Sequence, residues 1–391
     1  MSISKEAKKK KILVLAPADF KKINTLNRLI ITLKNDYDVY TAGFAPSVHS
    51  DIPFYSAQRS VEIEMSFGDK INRHCRYLLY KLTNDWESRY WLDWRIVSNE
   101  ELQKQNFDLV IVQNINFLPI AFKIANGKSK VMFDPQEIYF AEYDSNKEWV
   151  RDHQPRIVNI CKKYIPQCDL VSFYAQEVYE CYRDFCHIKK HIITTSAGYF
   201  HDIQPSEIDP DHIKIIHHGI ADYNRNLHLA IEMMEQVDKR FHYYFMLMVT
   251  NYDYFGFLKD KARNNPNIHF LEPVPTDKIV VAINPFDIGH FCIPPVHTNY
   301  KYTCPNKYWE FVQGRLCVAV GPYVTLKKIT EKYNTGIVFD DFNIESQSRQ
   351  LNSLTASSIK DYKMQSHKHA YELSAEPQTV KILEGVNSLF N

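Results

Sequence analysis

The chain has 391 residues, enough for two ordinary domains, and its 45% hydrophobic and 24% charged residues exclude global disorder. Lys and Arg number 47 against 46 Asp and Glu, so a formal net charge of +1 leaves no bulk positive field to hold nucleic acid. The 11 glycines include no Gly-x-Gly, which removes the dinucleotide fingerprint, whose glycines let backbone approach a pyrophosphate. Gly127-Lys128-Ser129 ends like a phosphate-binding loop, but Phe122 stands where its first glycine belongs. None of the 8 cysteines forms a Cys-x-x-Cys, and the 16 histidines give one adjacent pair, His217-His218, so no metal site is expected. Lys8 to Lys11 followed by Ile12 to Ala18 imitates a secretory leader. The apolar run is short and Asp19 and Lys21-Lys22 follow it, so a first buried strand and a cytoplasmic protein are expected. No apolar run approaches the roughly 20 residues of a membrane span.

In chain order, residues 11–16 read as a buried parallel strand, Leu26, Leu29, Ile30 and Leu33 as one face of a helix, and Val39 to Ala42 as a second strand. The alternation returns with strands at 109–112, 130–133, 169–173 and 192–194 and helices at 119–124 and 178–185. A polar, Pro-bearing stretch from His201 to Asp211 is the best linker candidate. Strands then recur at 213–216, 243–249, 268–270, 288–291, 316–320 and 336–339, with a helix at 227–234 and a helical tail from Ser357 to Phe390. The fold class expected is α/β: two Rossmann-like doubly wound domains, 1–200 and 201–391, facing a cleft, with the tail packing back on the first domain. Ligands of such sheets bind at the carboxyl ends of the strands, so the segments just after strands carry the chemistry.

Three such segments stand out. In His217 to Leu227, Gly219 at a strand-to-helix turn lets a phosphate reach a helix N-terminus, and Arg225 at that helix's start adds a bidentate donor for a diphosphate. In Tyr300 to Gly314, Pro305 suits the first turn of a helix with Thr303 or Cys304 near the cap, and Glu310 falls between Trp309 and Phe311, able to accept two hydrogen bonds from a ribose diol. In Phe133 to Tyr139, Asp134 reads as an N-cap with Pro135 at the first position and Glu137 completing a capping box, which would fix Gln136 in place. Solvated-surface readings of Arg225 and Glu310 remain open at this level.

Together these segments resemble the retaining, nucleotide-sugar-dependent glycosyltransferases of the GT-B type, the large family 4 that includes many bacterial polysaccharide and lipopolysaccharide transferases. Phe107 to Asn114, Leu118-Pro119 and Phe133-Asp134-Pro135-Gln136-Glu137 are similar to the family's strand, "Leu-Pro" helix and "Asp-x-His-Glu" turn. Pro305-Asn306-Lys307-Tyr308-Trp309-Glu310-Phe311, then Gly314 and Val318, resembles its "Pro-Asn-Lys-x-x-Glu-Tyr…Gly-x-Pro-Val" element. The resemblance implies sugar transfer with retention from a nucleotide-sugar donor to a glycan or lipid-linked acceptor hydroxyl, in bacterial surface polysaccharide synthesis, with no metal and no cofactor. It implies donor binding by Gly219, Arg225, Thr303, Asn306, Lys307 and Glu310, with Glu310 on the ribose and Arg225 on the diphosphate. Catalytic positions would be Gln136, Glu137 and Arg225. Three departures stand in this sequence: Tyr302 where many relatives have a second Glu, Gln136 where the family has His, and Ile220 where a second basic residue usually follows the phosphate-turn glycine. The same two-domain shape serves sugar-nucleotide epimerases, and a chain without that His could instead be a catalytically degenerate nucleotide-binding protein.

Between Lys70 and Arg95 lies a basic, aromatic-rich segment. Arg73, Arg76, Tyr77, Tyr80 and Lys81 can share one side of a helix, with Ile71, Leu78, Leu79 and Leu82 spread around it and Trp86, Trp91, Trp94, Arg89 and Arg95 following. One expectation is an amphipathic helix whose aromatics finish the first core. The other is peripheral contact with anionic lipid on the inner face of the membrane through Arg73, Arg76 and Lys81, which would serve a lipid-linked acceptor. Asp36-Tyr37-Asp38 and Asp209-Pro210-Asp211 spell a metal signature but read as solvated turns.

Overall fold

The computed structural model describes residues 9–57, 66–83, 85–93, 102 and 104–391. It divides into two compact units, Met1–Thr194 with His297–Asn299 and Thr379–Asn391, and Thr195–Val296 with Tyr300–Gln378.

Short apolar runs with β-branched residues make the strands of the first unit: β1 (Lys11–Leu15), β2 (Asp38–Gly43), β3 (Phe54–Ser56), β4 (Leu109–Val112), β5 (Lys130–Phe133), β6 (Leu170–Phe173) and β7 (His191–Ile193). They pair in parallel in the order β3-β2-β1-β4-β5-β6-β7, with Leu13 opposite both Tyr40 and Val110. β1 and β4 are buried along nearly their whole length, as expected where helices cover both faces. Ile12, Val14, Leu26, Ile30, Leu33, Ile111 and Leu170 form the core on one side of the sheet. Val386 of the C-terminal helix (Ala375–Asn387) is fully buried in the same cluster.

The second unit repeats the plan with β8 (Ile213–Ala221), β9 (Phe241–Val249), β10 (Ile268–Leu271), β11 (Ile288–Phe291), β12 (Cys317–Val320) and β13 (Gly336–Val338). All are parallel, in the order β10-β9-β8-β11-β12-β13. The order reverses between β8 and β11, and the carboxyl ends of those two strands form the switch point where open α/β sheets bind ligands.

The stretch His201–Asp211, read from composition as a linker, packs instead on the second unit. His201 N–H donates to Gln313 Oε1 at 3.2 Å, Ser206 Oγ donates to Asn284 O at 2.9 Å, and Asn284 Nδ2 donates to Gln204 O at 2.9 Å. Polar residues signal hydrogen bonding, and these three bonds have protein partners. The units divide just after β7, between Thr194 and Thr195.

Candidate functional site

β8 runs five residues beyond the strand expected at 213–216, carrying His217, His218 and Gly219 as ladder partners of Phe245, Met246 and Leu247. Gly219 is therefore not at a strand-to-helix turn but inside the strand's last turn of ladder, at φ 142, where a side chain is strained. Arg225 likewise does not start an α-helix. It closes the 3-10 turn Tyr223–Arg225, capped by Asp222, whose carboxylate accepts from Asn224 N–H at 2.9 Å, and the α-helix begins only at His228. Asn226, at φ 45, separates turn from helix.

The helix Asn306–Gln313 brings the remaining groups. Pro305 is its N-cap, in extended conformation with ψ 152 and no side-chain cap bond, so neither Thr303 nor Cys304 caps it. Its back face is fixed by buried Tyr308, Trp309, Phe311 and Val312. Trp309 Nε1 donates to Ser196 Oγ at 3.2 Å, and Thr330 Oγ1 donates to Tyr308 OH at 3.3 Å, so both buried polar tips are satisfied. A Cβ on Gly289 would stand 2.3 Å from the Phe311 ring, so only glycine lets this helix lie so close on β11. With the back face pinned, Lys307 and Glu310, three residues apart, share the front face.

Lys307 Nζ lies 3.2 Å from His217 Nε2 and 5.1 Å from the centre of the Phe291 ring. Burial drives its ammonium down to about 7, helped by the positive field of Arg225 and opposed by Glu310. His217 is held neutral, well below the usual imidazole range, by burial and by Lys307. Burial likewise pushes His218 down to about 3 and His290 down to about 4, with Lys307 adding to both. Glu310 Oε2 is 3.3 Å from His218 Nε2, but off the line a hydrogen bond needs, and that nitrogen has no hydrogen-bond partner. Gly219, Arg225, Lys307 and Glu310 thus form one cluster at the switch point. The Lys307 amine over an open glycine, with the positive field of Arg225 reaching it, suits a diphosphate, and a half-buried carboxylate suits a diol. Thr303 is half-buried and Asn306 exposed beside this cluster in sequence, with no contact tying either to it. His217, His218 and His290 were passed over in the sequence because a lone His-His pair argued only against metal; its adjacency to Gly219 was the available signal.

The first unit holds Gln136 and Glu137 at the carboxyl end of β5. No capping box forms there, because residues 134–138 are not helical and the next element is the 3-10 turn Tyr139–Ala141. Asp134 spends its carboxylate on tertiary partners instead, accepting from Gln113 Nε2 at 2.7 Å, from Gln136 Nε2 at 3.0 Å and from Ser172 Oγ. Burial holds the Asp134 carboxyl above the usual carboxylate range. Gln136 is fixed in place after all, but by this carboxylate rather than by a cap. Glu137 accepts from Asn299 Nδ2, while Asn299 Oδ1 accepts from Ile138 N–H at 2.9 Å. Glu142, passed over in the sequence, is raised to about 7 by burial and by the neighbouring charge of Glu137.

The Phe67–Leu82 helix starts at Ser66, whose side chain accepts from Asp69 N–H at 3.2 Å. None of its residues is buried, so it does not finish the first core. Phe67, Ile71, Leu78 and Leu82 recur at helical spacing on one exposed stripe, from 46% to 83% accessible, while Leu79, also exposed, stands about 100° round the helix from Leu78. Arg89 from the next helix (Trp86–Asp93) stacks on Tyr77 at 4.3 Å. Arg73 is half-buried, Arg76 and Lys81 are exposed, and Lys81 Nζ stands 3.8 Å from Asp152. Trp94 and Arg95 lie outside the described residues. No described helix is long and apolar enough to cross a membrane. Among the described residues no cluster of His, Cys, Asp and Glu is arranged to hold a metal ion.

These two parallel sheets and their helices match the fold of GT-B glycosyltransferases over nearly the whole chain. HepE of Anabaena, solved in complex with UDP and glucose, aligns with TM-score 0.63 and 13% identity over 97% of this chain and 100% of its own. The same protein in complex with UDP-glucose aligns with TM-score 0.62 and 14% identity, over 97% and 99%. The UDP-forming α,α-trehalose-phosphate synthase of Burkholderia xenovorans, in complex with glucose-6-phosphate, gives TM-score 0.60 and 10% identity over 97% and 100%. No protein-family model matches the chain, and no curated protein matches it.

Proposed function

We propose that this protein is a glycosyltransferase that moves a sugar from a nucleotide-sugar donor to an acceptor hydroxyl. The observation that carries the reading is the cluster at the β8/β11 switch point: Lys307 and Arg225 for a diphosphate, Gly219 leaving the backbone open, and Glu310 for the ribose. Fold neighbours solved with UDP and UDP-glucose support the same ligand class. The leaving diphosphate would be neutralised by Arg225 and Lys307, and as the bond to its oxygen breaks the acceptor hydroxyl would attack the same face and pass its proton to that departing phosphate oxygen, giving retention by positioning and electrostatics without a metal. Gln136 and Glu137 are the catalytic positions proposed from the resemblance; an amide in place of an imidazole can hold a hydroxyl but cannot shuttle its proton. Thr303 and Asn306 would contribute to the sugar end of the donor site. The exposed stripe of the Phe67–Leu82 helix, bordered by Lys70 and Lys81, supports an acceptor at an anionic membrane surface in surface-polysaccharide synthesis, with the protein in the cytoplasm.

The test is calorimetric titration with UDP, GDP, ADP and CMP, followed by product analysis with the sugars of whichever base binds. Glu310→Ala should weaken donor binding by about 1–3 kcal/mol, because the ribose hydroxyls lose their acceptor. Wild-type binding by that variant would refute the ribose assignment, and turnover of donor to a new sugar nucleotide without acceptor would make the protein an epimerase.

A further inference from the structure

We propose that donor binding is coupled to uptake of a proton by Lys307, and that His217 is the positioning residue that aims the resulting ammonium over Gly219. This inference rests on the reading that the site takes a nucleoside diphosphate sugar, and adds how that site is switched.

The geometry assigns the hydrogens. His217 Nδ1 lies 3.0 Å from the backbone oxygen of His290, and a carbonyl oxygen only accepts, so Nδ1 carries the proton and donates. In the neutral ring Nε2 then offers a lone pair, and Lys307 Nζ sits 3.2 Å from it as donor. The chain β11 carbonyl, imidazole, ammonium fixes Nζ in one place. That place is directly above the missing side chain of residue 219, since a Cβ there would stand 3.3 Å from Nζ. Glycine at φ 142 therefore keeps one side of the ammonium open to a ligand.

The groups around Nζ make the empty site a poor home for a charge. His217 and His218 face it from β8, His290 from β11, and Arg225 from the Tyr223–Arg225 turn, and among the described residues the anion acting on it is Glu310 on its own helix. Burial and Arg225 outweigh Glu310, so the amine is poised near neutrality in the free protein, at about 7. A diphosphate brings the negative charge that the pair of basic residues lacks, which favours the ammonium. Above pH 7 the free protein holds a neutral amine, the complex holds an ammonium, and one proton enters from solvent per donor bound. Below it both states are protonated and none enters. Binding consequently weakens as pH rises, approaching about tenfold per pH unit.

The experiment is calorimetry on the full chain with UDP-glucose, GDP-mannose and ADP-glucose, whose diphosphate diesters do not titrate near neutrality. Paired buffers of low and high ionisation enthalpy count the protons. Expected are close to zero protons at about pH 6 and a rise towards one at about pH 8. Lys307→Met, which removes a buried amine and should fold, is expected to bind more weakly, with no pH dependence and no uptake. His217→Leu should move the midpoint of uptake down by about one pH unit by removing the acceptor that stabilises the ammonium, while His217→Gln, which restores an acceptor, should return it towards wild type. Buffer-independent heats at pH 8 for a sugar nucleotide that binds would overturn the proton coupling and leave the donor reading standing. Undiminished uptake in Lys307→Met would overturn the assignment to Lys307. An unmoved midpoint in His217→Leu would overturn the role of His217. No binding of any of the three sugar nucleotides would overturn the donor reading, and this inference with it.

Discussion

Gly219→Ala separates the backbone's part in the site from its charges. At φ 142 the residue occupies a region that side-chain-bearing residues avoid, and holding alanine there costs about 1–3 kcal/mol. The new methyl group would also stand 3.3 Å from Lys307 Nζ, tight enough that the ammonium must give by a few tenths of an ångström. Because His217 holds that nitrogen at 3.2 Å, the movement is made against a hydrogen bond, and the space a phosphate would use is filled. We expect urea unfolding to show a loss of about 1–3 kcal/mol and UDP-sugar affinity to fall by at least about tenfold, the equivalent of ~1.4 kcal/mol. Gly256→Ala is the internal control: this glycine lies in the helix Tyr252–Ala262, and its Cβ would meet nothing within 4 Å. That change should be neutral or stabilise by up to about 1 kcal/mol through helix propensity. If Gly219→Ala costs no more than Gly256→Ala and binds donor equally well, the cradle argument is wrong.

The end of β5 and the β8/β11 region should respond to acid in opposite senses. His218 and His290, held down at about 3 and about 4, and His217, lower than usual as well, are neutral in the fold but charge in the unfolded chain below about pH 6.5; stability they give is full above that pH and is lost as pH falls. Glu142, raised to about 7, binds its proton earlier in the fold than when unfolded, so its contribution to stability grows as pH falls from 7 towards 4.5. Segment-resolved hydrogen exchange at pH 7 and pH 5, corrected for intrinsic rates, should show protection falling around β8 and β11 and rising around β5; parallel trends would refute the assignments. Lys363→Met should destabilise the second unit by about 3–5 kcal/mol in urea unfolding, because it strands the fully buried carboxylate of Asp287, 3.1 Å away, and adding Asp287→Asn should recover most of the loss. Vesicles rich in anionic lipid should bind the protein at low salt, with Leu78→Glu and Leu82→Glu reducing binding more than Arg76→Gln; no sedimentation with vesicles would remove the membrane-side acceptor.

Strands were legible from sequence because their signal is local. Continuous apolar runs such as Leu109–Val112 and Cys317–Val320 become central parallel strands whatever their neighbours, since only burial on both faces suits them. The Asn306–Gln313 helix, too, was readable from its own residues, although its cap was not. Local chemistry misled where a tertiary partner outbid it. Asp134 had a serviceable capping pattern behind it, yet its carboxylate binds Ser172, 38 residues away, and Gln113, 21 residues away. The end of β8 was misjudged for a similar reason: histidines and a glycine look like a turn, but nine rungs of pairing with β9 carry the strand through them. The composition of the candidate donor site was partly present in the chain as Gly219, Arg225, Lys307 and Glu310. What joins them is strand order. Lys307 and His217 are 90 residues apart, and they meet because β11 pairs beside β8 where the strand order reverses and because Gly289 lets Phe311 settle on β11. Sequence period determines which segments are strands and helices, as it depends only on neighbours along the chain. The charge state of Lys307 depends on what surrounds it in space, and that was decided only when the sheet closed around it.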